Sequence, residues 1–122
     1  MSFAIAATAT GGAAIALGTG WLFAGPLLLK RWRIGPDPAA LLVGRRLGAV
    51  YLGMSVILLL ARTQPASPLR TALSAGMLLA LVALAALGVY EFIARRAAAA
   101  ILVSVVLELV LASLFASDLL GM

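Results

Sequence analysis

The chain has 122 residues, 65% of them hydrophobic and 11% charged, with a net charge of +5 and a mean hydropathy of +1.19. This balance excludes an ordinary soluble domain and predicts an integral membrane protein. With no cysteine there is no disulfide or thiolate nucleophile, and with no histidine the commonest metal ligand is missing; a His- or Cys-ligated metal or haem is excluded and no cofactor is identified.

The length holds four spanning helices of about 20 residues each with short connections. The first span, about residues 3–29, carries no charge and ends at Gly25-Pro26 before the basic cluster Lys30, Arg31 and Arg33. It lacks a basic leader, and its apolar run is far longer than a signal peptide's core, so it reads as a retained span. Gly35-Pro36-Asp37-Pro38 predicts a turn, with Asp37 as N-cap and Pro38 at the first helical position of the second span, about 38–61. The polar stretch Thr63–Pro68 leads to a third span, about 69–94, and Arg95-Arg96 mark a tight turn. The fourth span, about 97–116, leaves Ser117–Met122 as a tail, with Asp118 in solvent. The expectation is an all-α, four-helix membrane bundle made of one transmembrane domain, 1–122.

Seven Lys and Arg (30, 31, 33, 45, 46, 95, 96) fall on one side of the spans and two (62, 70) on the other, which places both termini on the non-cytoplasmic side. Eight arginines against one lysine, with abundant alanine, fit a GC-rich bacterial genome and hence an inner (cytoplasmic) membrane. Positive charge that flanks apolar runs sets orientation, so the basic balance implies no nucleic-acid partner. Trp32 reads as an interfacial anchor and Trp21, about 12 Å deeper than the end of the span at Leu29 by helical rise, as packing. Gly44-Arg45-Arg46 and Ala94-Arg95-Arg96 open two apolar runs at an offset of 50 residues, a pattern that fits two parallel helical hairpins.

Small residues four apart mark where membrane helices approach closely. The rows are Thr8, Gly12, Ala16 and Gly20 in the first span; Gly44, Gly48, Tyr51 and Ser55 in the second; and Ala72, Gly76, Ala80, Ala83 and Tyr90 in the third. The fourth span offers Ala100, Ser104, Glu108, Ala112 and Ala116. Gly12, Gly20, Gly44, Gly48 and Ala112 are the expected packing positions.

Glu108 stands out because it interrupts an apolar run. A charge at a span centre costs roughly 3 kcal/mol on insertion scales, so it requires a partner, a cavity or a pathway. Counting helical rise from the basic side puts Glu108 about 17 Å deep, Tyr51 about 19 Å, Arg45 and Arg46 about 11 Å and Glu91 about 5 Å. The expected cluster pairs Arg45 with Glu91 or Glu108, while Tyr51, Tyr90 and Ser104 donate hydrogen bonds; an i, i+4 pair between Glu91 and Arg95 is the plainer alternative. Arg46 points nearly opposite and snorkels.

Three functions fit this cluster. The first is an accessory subunit of a larger membrane complex, or a bundle (alone or as a homo-oligomer) that binds an apolar small molecule within the bilayer. The second is a membrane-embedded enzyme that uses Glu108, Glu91 and Arg45 on a lipophilic substrate, with no catalytic residue identified. The third is a small proton-coupled transporter. The segments WLFAGPLLLKRW from Trp21 and GPDPAALLVGRRLGAVYLGMSVILLLAR through Arg62 resemble small bacterial four-span proteins grouped loosely with DoxX-like membrane proteins. The resemblance covers about a third of the chain. It implies a four-helix bundle and carries no reaction or catalytic residue.

Overall fold

The computed structural model describes residues 2–35 and 37–121. Among them all regular structure is helical: α1 (Ser2–Phe23), α2 (Gly25–Arg31), α3 (Pro38–Ala61), α4 (Pro68–Ile93) and α5 (Ile101–Leu119). All but the short α2 are long and apolar enough to cross a bilayer, so the protein is an integral membrane protein with four candidate spans. Met1, Pro36 and Met122, which the expected turn, tail and domain limits include, lie outside the described residues.

Proline chemistry sets several boundaries. The first span breaks at Ala24 instead of continuing to residue 29, because Pro26 has no N–H to donate and restricts the residue before it. The Ala24 N–H still bonds to the Gly20 carbonyl at 2.7 Å, and Leu28 N–H bonds to the Ala24 carbonyl at 3.2 Å, so Ala24 closes α1 and opens α2. Asp37 occupies the N-cap position of α3, with Pro38 following, although its side chain makes no capping bond. Ser67 caps α4 by accepting the Arg70 N–H at 3.2 Å.

The last span starts at Ile101, not at residue 97, and extends to Leu119. Arg95 has left-handed backbone geometry (φ 61°), which carries the chain away from α4, and Ala97–Ala100 then cross to α2. There the Ala98 N–H donates to the Trp32 carbonyl at 3.1 Å.

The helices pair as two hairpins. α1 lies along α3 and α4 along α5, α1 and α5 join the pairs, and α3 makes little contact with α4. The four helices therefore form an arc with an opening between α3 and α4. In the first pair Gly18 and Gly48 meet backbone to backbone: a Cβ on Gly48 would lie 2.7 Å from the Gly18 carbonyl oxygen, and one on Gly18 would lie 2.8 Å from that of Gly48. A residue with any side chain would force α1 and α3 apart here. Gly44 leaves room for the Trp21 ring, while Gly20 contacts Leu28 of α2.

Two expected packing rows are displaced. Gly12 is exposed with open space around its Cβ position, as are Thr8 and Ala16; the buried row of α1 is instead Ala7, Gly11, Ala14, Gly18 and Trp21. In α4 the buried row is Ser74, Leu81, Ala85 and Gly88, and Ala72, Gly76, Ala83 and Tyr90 are exposed. Alanine and glycine occur on every face of both helices, so spacing alone selects no side. Ala112 of α5 is buried in the main core, which gathers Phe3, Ala6, Ala7, Leu58, Leu81, Leu111 and Phe115 near the termini. The Phe3 and Phe115 rings meet edge to face at 6.4 Å, placing both chain ends on one side of the bundle.

Candidate functional site

Away from that core the arc encloses a cleft of about 290 Å³. Its apolar wall comes from Leu17, Leu47, Leu84, Leu87, Ile101 and Leu107, and its polar groups are Tyr51, Glu91, Ser104 and Glu108. Trp21 and Trp32 complete the wall with ring centroids 5.9 Å apart. A smaller chamber of about 60 Å³ continues the cleft toward the core. Glu108 and Tyr51 border both spaces, and so occupy the neck between them.

Thr10 lines the inner chamber. It is buried, and its hydroxyl finds no hydrogen-bond partner among the described residues. An unsatisfied buried hydroxyl costs about 1–3 kcal/mol, and in a chamber whose lining is apolar apart from Thr10, Tyr51 and Glu108 the polar end of a ligand that reaches the hydroxyl removes that cost. Glu108 likewise lacks an internal cation: among the described residues the two ion pairs are Arg70–Asp118 and Arg96–Glu91.

The expected cluster is thus regrouped. Tyr51, Glu91, Ser104 and Glu108 surround one cleft, but Arg45 lies exposed on α3 outside it and pairs with neither glutamate. Arg45 has an angular offset of about 90° from the Gly44–Gly48 face, and because that face packs directly on α1 the offset turns the side chain outward. Tyr90 also faces outward, with the Arg96 guanidinium 5.0 Å from its ring centroid.

Glu91 takes Arg96 as its partner, not Arg45 or Arg95. Arg96 Nε donates to Oε2 at 2.6 Å and Nη2 donates to Oε1 at 3.1 Å. The left-handed turn at Arg95 sends that residue off the helix and brings the next one back beside Glu91. The Glu91 carboxylate holds the Arg96 guanidinium above its ordinary pKa.

A second polar group, near the termini, has a different character. Asp118 is part of α5, not a solvated tail; it pairs with Arg70 and accepts a hydrogen bond from the Ser74 hydroxyl at 2.7 Å. Arg70 also stacks on Phe3, 4.8 Å from the ring centroid, and donates to the Gln64 carbonyl at 3.2 Å. Both Asp118 carboxylate oxygens are engaged, one by Arg70 and one by Ser74, so the network ties α1, α4 and α5 together. Glu108 and Thr10 are the contrast: among the described residues neither has a side-chain partner.

Sequence reasoning missed Thr10, Trp21 and Trp32 as wall residues. The tryptophans are eleven positions apart and would be separated by about 16 Å on a straight helix. They meet only because the chain breaks at Ala24. The Gly25-Pro26 pair was the available signal. No family model matches the sequence, no curated protein matches it, and no solved structure matches the fold.

Proposed function

We propose that the protein binds a lipophilic small molecule bearing one hydrogen-bonding group, such as a hydroxyl, a quinone carbonyl or an amine. The observation that carries this reading is the open cleft with Glu108 at its neck and no partner for that carboxyl group among the described residues. Intramembrane carboxyl groups face a ligand, a cavity or a pathway. The apolar walls accept the hydrocarbon part, and Glu108, Tyr51, Ser104 and Thr10 offer donors and acceptors to the polar end. The gap between α3 and α4 supplies a route from the bilayer, where such a ligand is concentrated.

This reading favours a binding bundle over an accessory subunit held only by packing, whose interior groups would satisfy one another as Arg70, Ser74 and Asp118 do. An enzyme acting on the same molecule would use Glu108 and Glu91, without Arg45. The resemblance to DoxX-like proteins adds the bundle and no chemistry. By the positive-inside rule, the Arg95–Arg96 end faces the cytoplasm and the termini face outward in a bacterial inner membrane.

The test uses the chain's two tryptophans, both in the cleft wall. A brominated alkylphenol titrated into the purified protein should quench their fluorescence saturably in the wild type. Glu108→Gln should weaken the saturable phase, and Ser104→Leu, which fills the cleft, should abolish it. Linear, non-saturating quenching that is the same in all three proteins would remove the reading.

A further inference from the structure

At the basic end of the bundle a second cavity, a groove of about 520 Å³, is lined by Trp32, Arg33, Phe92, Ile93, Arg95 and Arg96 together with the three alanines that follow. Two of its arginines have an unusual backbone. Arg33 (φ 59°) and Arg95 (φ 61°) are the non-glycine residues with left-handed geometry among the described residues, and both line this groove.

Each occupies the same position in the same motif. At the end of α2 the Arg33 N–H bonds to the Lys30 carbonyl and the Ile34 N–H to that of Leu29; at the end of α4 the Arg95 N–H bonds to Phe92 and the Arg96 N–H to Glu91. These are Schellman turns, and their left-handed position is where glycine is ordinarily found because a Cβ is strained there. The chain follows that rule at the end of α5, where Gly121 (φ 76°) fills the position.

Charge at a helix C-terminus is favourable, but an arginine one residue earlier gives the same benefit without left-handed strain. Orientation in the membrane is equally well served by Lys30, Arg31 or Arg46. Neither explanation accounts for two strained arginines that converge on one groove. Strain retained at two converging side chains points to a ligand.

The charge balance identifies its sign. Arg96 is neutralised by Glu91, whereas Arg33 and Arg95 have no carboxylate partner among the described residues. The apolar lining identifies its class: Phe92 and Ile93 are exposed beside the arginines, and the groove lies at the end of the spans, where lipid headgroups sit. We infer that the groove seats the phosphate of an anionic phospholipid between Arg33 and Arg95, with its acyl chains along Phe92 and Ile93. This site is separate from the cleft; Trp32 forms a wall of both, but lipid binding here does not depend on a ligand there.

Native mass spectrometry of the full chain with equimolar phosphatidylglycerol and phosphatidylcholine tests the inference. The wild type should retain phosphatidylglycerol several-fold over phosphatidylcholine. Arg33→Gln with Arg95→Gln, which keeps a side chain in the strained turns, should bring the ratio to near one, while Arg45→Gln with Arg46→Gln, which removes equal charge outside the groove, should leave the preference in place. Arg33→Gly with Arg95→Gly should also lose the preference yet melt no lower than the wild type, because glycine relieves the turns. An unchanged ratio in the Arg33/Arg95 variants, equal loss in the Arg45/Arg46 variant, or full displacement of the lipid by millimolar inorganic phosphate would each overturn the inference.

Discussion

Glu108 and Asp118 are both carboxyl groups on α5, ten residues apart, and they have opposite roles because their surroundings differ. Asp118 is held by Arg70 and Ser74; Glu108 borders open space. Asp118→Asn should therefore lower unfolding stability by roughly 2 kcal/mol, the scale of a hydrogen bond to a charged group. Glu108→Gln should cost no stability, because it removes an ionisable group at a span centre and breaks no internal bond. Thermal or denaturant melts in a mild detergent measure both. Equal losses in the two variants would make Glu108 structural. At this scale the sequence was informative where polarity is rare: a carboxylate in an apolar run, with Ser104 four residues before it, is visible without coordinates. The partner of Glu91 was not, because the choice between Arg95 and Arg96 depends on the left-handed turn at Arg95.

Among the helices, the inward faces of α3 and α5 were legible from spacing, since Gly44, Gly48 and Ser55 are buried and Ser104, Glu108 and Ala112 share one side. The faces of α1 and α4 were not, because small residues surround both helices. Gly48 and Gly12 make the distinction measurable. Gly48→Ala places a methyl group 2.7 Å from the Gly18 carbonyl oxygen and should cost about 1–3 kcal/mol as the α1–α3 pair separates. Gly12→Ala meets nothing within 4 Å and should be neutral or slightly stabilising, since alanine is the better helix former. If melts of the two variants rank the other way, α1 is rotated relative to the packing described. The break at Ala24 has a further consequence at this level: it turns α2 so that Trp32 reaches Trp21, and the cleft wall exists only because the first span is interrupted.

For the whole molecule, composition and hydropathy were sufficient to show four spans, since each span is a long apolar run with at most two charged residues, bounded by proline, glycine or arginine. They did not show that the helices form an open arc. That shape depends on which pairs pack closely: Gly18 against Gly48, and Gly88 against Val105, whose methyl group would lie 2.6 Å from a Cβ at position 88. Two tight hairpins joined through α1 and α5 leave α3 and α4 apart, and the cleft follows from that separation. A lipophilic molecule held there should be retained through gentle extraction. Native mass spectrometry of the protein taken directly from its own membrane, wild type beside Glu108→Gln, is the most direct measurement. The account predicts a bound lipophilic species in the wild type that is depleted in a variant of undiminished stability. A wild type that carries no such species, or carries it equally in both proteins, would contradict it.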